Sequence, residues 1–186
     1  MLILGIDPGS RKTGFGLIRR EGRRFCHVEN GTLYLEGQPD YVARLVLLHQ
    51  EILRLVRHYK VQALAVENIF YHKNPKSVQK LGEVRGVVLM TAGLCGLELG
   101  EYTPLQVKQA VTGYGKATKD QVQVMIGKIL GLKDRPEENA SDALGIALCH
   151  AQQLQGSHFL AAGPDQVSRQ VTQAKEWLKK SRYFKR

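Results

Sequence analysis

The first dozen residues constrain this chain most. An apolar run, Leu2-Ile3-Leu4-Gly5-Ile6, stops abruptly at Asp7-Pro8-Gly9-Ser10. A short continuous apolar run bounded by turn residues reads as a fully buried strand, so an acid stands at a buried strand's mouth. The pattern recurs: Val61 to Val66 is a second buried run, and it too ends in an acid, Glu67. Two core strands closing on carboxylates predict an open α/β sheet in which ligands collect at the strands' carboxyl ends.

The intervening segments supply the other elements. Phe15 to Ile18 and Phe25 to Leu35 are strand-like, with Glu21-Gly22 as a hairpin turn, which gives three consecutive antiparallel strands. Asp40 is an N-cap, and Tyr41, Leu45, Leu48, Ile52 and Leu55 follow at helical spacing. Asn74-Pro75 opens a second helix with the stripe Val78, Leu81, Val84, Val88 and Ala92. Gly82, Gly86, Gly93 and Gly96 within it cost helix propensity, and close packing against a neighbour is the expected compensation. Leu97 to Tyr102 is a short strand. Thr103-Pro104 and Thr118 to Gln121 start two more helices, the second with capping-box spacing, and Gly113-Tyr114-Gly115-Lys116 is the loop between them. Pro136-Glu137-Glu138 places acids in the first turn of a last core helix, whose apolar side is Ala140, Leu144, Ala147, Leu148 and Ala151. Residues 1–155 thus form one domain. After Gln155 the pattern breaks, and residues 157–186 carry seven Lys or Arg against two acids. Residues 156–186 are therefore a basic extension, either folded on the body or partly disordered.

Charge narrows the partners. The chain has 27 Lys and Arg against 17 Asp and Glu, a net +10, which attracts polyanions. No apolar stretch reaches the roughly 18 residues of a spanning helix, and the start is no signal peptide, so a cytoplasmic protein is expected. Cys26, Cys95 and Cys149 are far apart with no CxxC pair, and they read as buried reduced thiols instead of a disulfide framework or zinc site. The six histidines are scattered, and none is assigned to catalysis. His150 lies about 12 Å along the helix from Asp142.

Asp142 lies in a helix among alanines and joins Asp7 and Glu67 as a third carboxylate where solvation alone would not place one. Such an oxygen-only set suits Mg²⁺ or Mn²⁺ and not zinc. The competing reading takes the three as caps or ion-pair partners. Phe70-Tyr71-His72-Lys73-Asn74 directly follows Glu67, and an aromatic on such a loop can stack on an unpaired base, worth about 1–3 kcal/mol. For Tyr71, stacking and packing are equally good readings. Lys73, Lys76, Lys80, Arg85 and Lys116 would extend a phosphate track, and Arg11 and Lys12 face either phosphate or solvent.

Residues 5–16, Gly-Ile-Asp-Pro-Gly-Ser-Arg-Lys-Thr-Gly-Phe-Gly, with Ala65-Val66-Glu67-Asn68-Ile69-Phe70, Lys80-Leu81-Gly82-Glu83-Val84-Arg85-Gly86, Gln106-Val107-Lys108-Gln109 and Ser141-Asp142-Ala143-Leu144, closely resemble the RuvC-type crossover-junction endodeoxyribonucleases. The likeness runs in order over about residues 1–153. The Gly-Ile-Asp-x-Gly opening alone is shared with sugar kinases and actin-like ATPases, whose second lobe this chain is too short to contain.

The resemblance implies an RNase H-like fold, a five-stranded mixed sheet with helices on both faces. It implies a homodimer that cuts four-way Holliday junctions symmetrically, leaving 5′-phosphate and 3′-hydroxyl ends, with the branch-migration proteins RuvA and RuvB as partners and a short thymine-rich target. Its catalytic, metal-binding carboxylates fall on Asp7, Glu67 and Asp142, its fourth ligand on Asn139, its base-stacking ring on Phe70, and its phosphate-side lysines on Lys108 and Lys119. Two Mg²⁺ ions per site are implied, with Mn²⁺ able to substitute. The family usually has Asp or His where Asn139 stands. An amide adds no charge and takes no proton, so slow or absent cleavage, leaving a junction-binding protein, is the alternative. Glu138, i−4 from Asp142, is either a substitute ligand or an acid serving the helix dipole. A third reading is an RNase H-like nuclease with a different substrate. The glycine-containing helix from Lys76 to Gly96 is the candidate dimer interface.

Overall fold

A computed structural model describes residues 1–68 and 75–157. The elements are β1 (Leu2–Asp7), β2 (Lys12–Glu21), β3 (Arg24–Tyr34), α1 (Tyr41–Tyr59), β4 (Ala63–Glu67), α2 (Pro75–Cys95), β5 (Glu98–Tyr102), α3 (Pro104–Thr112), α4 (Lys119–Leu130) and α5 (Glu138–Ser157). The strands form one mixed sheet in the order β3-β2-β1-β4-β5. The first three pair antiparallel, while β1, β4 and β5 run parallel.

Alternation along the central strands divides the core, because successive side chains point to opposite faces. Leu4, Ile6, Leu64 and Val66 pack with Leu48, Ile52, Val84 and Val88 of α1 and α2. Ile3, Ile18 and Ala63 pack with Ile126 of α4 and Leu144, Ala147 and Leu148 of α5. Helices thus cover both faces, as the family resemblance implied. Asp40 and Thr118 cap α1 and α4 through their side chains, and Thr103 makes a full capping box with Gln106 that its Thr-Pro opening only partly announced.

Helix α5 lies directly against the sheet. A Cβ added to Gly5 would stand 2.0 Å from the Ala143 carbonyl oxygen, and one on Gly16 would stand 2.6 Å from the Leu144 nitrogen. Between Ala140 and Ala151 every residue is buried except Asp142.

Four expectations need correction. Nothing lies within 4 Å of a Cβ added to Gly82, Gly86 or Gly93, so these glycines open a face instead of packing on a neighbour within the chain. On the same helix Met90 and Leu94 are 51% and 73% exposed, while Val78 and Leu81 are only partly buried. Only Cys149 is buried; Cys26, on the edge strand, and Cys95, in the last turn of α2, are half-exposed, and all three are free. Glu137 precedes α5 instead of serving its first turn, and it accepts hydrogen bonds from Thr32 Oγ1 (2.7 Å) and the Tyr34 hydroxyl (3.2 Å). Among the described residues no helix is long and apolar enough to cross a membrane. The extension's residues 158–186 lie outside the described residues.

Candidate metal centre and nucleic-acid interface

Parallel pairing of β1 with β4 puts Ile6 beside Val66, so Asp7 and Glu67 leave the same edge of the sheet on adjacent strands. Asp7 also pairs with Gly14 of β2. A Cβ on Gly14 would lie 2.0 Å from the Asn139 carbonyl oxygen. The bare glycine therefore lets the first turn of α5 rest on the Asp7–Gly14 pair. Asn139 is half-buried there, and Asp142 follows three residues on along the same helical face.

The carboxylates feel one another. Burial, then Asp142 and Glu67, push the Asp7 carboxyl up to about 7 from 3.8, against the opposing pull of Lys119. Glu67 is also raised, by burial and then by Asp142, with Lys119 again opposing. Lys119 is their counter-charge: its Nζ stands 2.9 Å from Asp142 Oδ2 and also pairs with Glu138. Burial works against that ammonium, but its hydrogen bonds to Glu138 and Asp142 prevail and raise it. Glu138 is lowered by the same contact, so the structure gives it a lysine partner as well as its first-turn position.

A cleft of about 290 Å³ opens over Glu67 and Asp142, lined also by Lys108 and Lys119 with Val107 and Ile146 as apolar walls. Its donors are carboxylate oxygens, without His or Cys. That chemistry fits a hard divalent cation, which would neutralise acids that repel one another at partly buried positions. Among the described residues no three His, Cys, Asp or Glu side chains close on a single point. Asp142 Oδ2 is instead paired with Lys119 Nζ at 2.9 Å.

The other predicted residues fall as follows. Lys116 is exposed on the α3–α4 loop, and Lys76 and Lys80 are exposed along α2, with Lys80 Nζ 5.6 Å from the Tyr41 ring centroid. Lys12 Nζ lies 5.1 Å from the Tyr34 ring, and Arg11 is exposed. Arg85 is occupied: it pairs with Glu101 of β5 and donates to Asn68 Oδ1 at 3.0 Å, bracing the chain just after Glu67. Phe70, Tyr71 and Lys73 lie outside the described residues.

Two features escaped the sequence reading. Tyr114 is 60% exposed, while its backbone is pinned by Thr112 Oγ1 and by the Ala117 N–H. A ring between two glycines beside Lys116 was the available signal. Tyr102, which pairs with Glu67 across β4 and β5, shares a buried 2.7 Å hydrogen bond with His150 Nδ1. Burial, with Arg20 adding to it, holds His150 down at about 4, so it stays neutral and structural.

Comparison with known proteins gives a family. Residues 3–150 match the family model described as crossover junction endodeoxyribonuclease RuvC. The crossover junction endodeoxyribonuclease RuvC of Geotalea uraniireducens is 49% identical over 151 residues, covering 81% of this chain and 88% of that protein. That of Syntrophomonas wolfei is 48% identical over 161 residues, covering 86% and 94%. Among solved structures, Thermus thermophilus RuvC in complex with a Holliday junction substrate superposes with a TM-score of 0.80 at 33% identity, covering 84% of this chain and 96% of that one.

Proposed function

This chain belongs to the RuvC family of crossover junction endodeoxyribonucleases and is a Holliday junction resolvase, and from that premise we propose that it makes paired symmetric nicks with Mg²⁺ held by Asp7, Glu67 and Asp142. The observation that supports this reading is that burial and the neighbouring Asp142 raise both Asp7 and Glu67, which leave one sheet edge on adjacent strands, with Glu67 and Asp142 lining a cleft whose other polar walls are Lys108 and Lys119. Acids arranged against their own ionisation accept a cation readily. Two Mg²⁺ ions, replaceable by Mn²⁺, would neutralise the phosphodiester, activate water and stabilise the leaving 3′ oxygen.

The protein's own groups do the rest. Asp7 and Glu67 are fixed by the β1–β4 pairing, and Asp142 by the contact of α5 with the sheet. Lys108 and Lys119 face the scissile phosphate from the cleft wall, and Lys119 exchanges its carboxylate partners for that phosphate. Phe70, with Tyr71 beside it, stacks on a base unpaired at the crossover, and Lys73, Lys76, Lys80 and Lys116 follow the backbone of the arms. Arg85 reaches a phosphate only by leaving Glu101. Residues 1–155 are the nuclease domain and 156–186 a basic extension. The active form is a homodimer joined through the open glycine face of α2, acting in the cytoplasm with the branch-migration proteins RuvA and RuvB.

Asn139 favours a second reading, a junction-binding protein that cleaves weakly, because its amide offers an oxygen without a charge. A synthetic four-way junction incubated with and without Mg²⁺ or Mn²⁺ distinguishes them, with Asn139→Asp protein alongside. Paired nicks that require the divalent ion support the resolvase. Tight metal-independent binding, with nicks only from Asn139→Asp, supports the second reading. Metal-independent nicking, or none from either protein, refutes the metal centre.

A further inference from the structure

A positive surface outside the cleft lies along the β3 edge of the sheet. An open groove of about 1000 Å³ runs between β3 and the segment joining α4 to α5. Four exposed cations rim it: Arg23 and Arg24 on the β3 side, Lys128 and Lys133 on the other. Among the described residues none of the four has an ion-pair partner. The single acid in the lining is the exposed Asp134. Arg135, the fifth cation, is already committed to Asp120 and Gln123.

The floor is not built like a phosphate track. Phe25, Leu130 and Leu132 give it an apolar strip. Among the described residues, no backbone hydrogen bond beyond the ladder to β2 engages residues 24–30 of β3, which leaves a row of main-chain donors and acceptors along the groove. From Arg24 to Asn30 the strand spans about 20 Å, room for an added strand of roughly six residues.

The groove is also cut off from the catalytic edge. Arg24 stands about 26 Å down β3 from Thr32, which is aligned through Gly14 with Asp7. Glu137, hydrogen-bonded to Thr32 and Tyr34, closes the upper end, and Glu138 lies just beyond it. The Glu137 carboxylate thus stands between the groove's cations and the catalytic edge.

We propose that this edge is a docking site for an extended acidic polypeptide segment, which adds a strand to β3 and sets its carboxylates between the Arg23/Arg24 and Lys128/Lys133 rims. Strand addition supplies affinity through main-chain hydrogen bonds, and the charged rims select an acidic sequence. The chain's own basic residues 157–186, with seven Lys or Arg against two acids, are the wrong sign to fill it. The site is independent of the metal centre, so a partner bound here leaves the cleft accessible.

The test uses full-length protein and a fluorescein-labelled synthetic peptide of alternating Glu and Val, followed by anisotropy. Three comparisons accompany it: the same peptide N-methylated at alternate residues, a Lys–Val peptide, and an unbranched DNA duplex as competitor. Binding of the Glu–Val peptide should weaken about tenfold or more on N-methylation and in Arg24→Glu/Lys133→Glu protein. Junction cleavage by that variant should be unchanged, which also verifies that it folds. Absence of Glu–Val binding, equal binding by the N-methylated or the Lys–Val peptide, or binding unaffected by charge reversal overturns the proposal. So does displacement by the duplex together with lost junction affinity in the variant, an outcome that would make the groove a DNA contact.

Discussion

Replacing Asp7 with Asn should make the metal-free protein more stable, and increasingly so as the pH rises. Asp7 is an acid whose pKa is raised on folding, from 3.8 to about 7. The native state therefore holds its proton more tightly than the unfolded chain, and stability falls as pH climbs through that interval. Below about pH 4 both states are protonated and the charge costs nothing. Above about pH 7 the full penalty is present, about 4 kcal/mol at most. An Asn amide in the same place gives back about 1 kcal/mol through an imperfectly satisfied N–H, so a net gain of about 3 kcal/mol is expected at pH 8 and about half that or less at pH 5. Urea unfolding in EDTA at the two pH values measures it, and at a slope of about 2 kcal/mol/M the midpoint should rise by more than about 1 M at pH 8. Added Mg²⁺ or Mn²⁺ should stabilise the parent and leave Asp7→Asn nearly unchanged, narrowing or reversing the order. A variant less stable than its parent at pH 8 in EDTA, or a gain that does not grow with pH, would refute the placement of Asp7 beside like-charged, partly buried acids.

Two further outcomes follow from the packing. Gly5→Ala should cost about 3 kcal/mol, the upper part of the overpacking range, because its new methyl would meet the Ala143 carbonyl at 2.0 Å; thermal melts and junction cleavage should both decline. If the proposed dimer forms through α2, Met90→Glu with Leu94→Glu should give a monomer in light scattering and separate the proposed paired nicks into independent single events, since both side chains stand on the open face of α2.

Strand ends and helix starts were legible because they are local. Asp7 and Glu67 each follow an apolar run directly, and Asp40 and Thr118 cap helices whose stripes begin within a few residues. The division of labour among glycines was not. Gly82, Gly86 and Gly93 look like packing glycines and face open space, whereas Gly5, Gly14 and Gly16, hidden in strands, receive α5. Which glycine meets a helix depends on tertiary placement, which local composition does not encode. The same limit hid the pairs of the site. Lys119 reaches Asp142, and Arg85 reaches Glu101, across gaps that only the assembled sheet closes. Glu137 carries the same first-turn signature as Glu138, yet it reaches back to Thr32 and Tyr34, because α5 begins one residue later than the run of acids suggests.

The contact of α5 with Gly5, Gly14 and Gly16 sets the working gap of the centre by main-chain thickness at those three positions, where no side chain stands between helix and strand. On the opposite face α1 and α2 rest on Leu, Ile and Val, whose sizes can drift in compensating pairs and lift or tilt a helix as they do. The face carrying Asp142 has less such slack, because its side-chain contacts flank these glycine positions. Evolutionary remodelling can therefore proceed on one side of this sheet while the distance between its acids stays constant on the other.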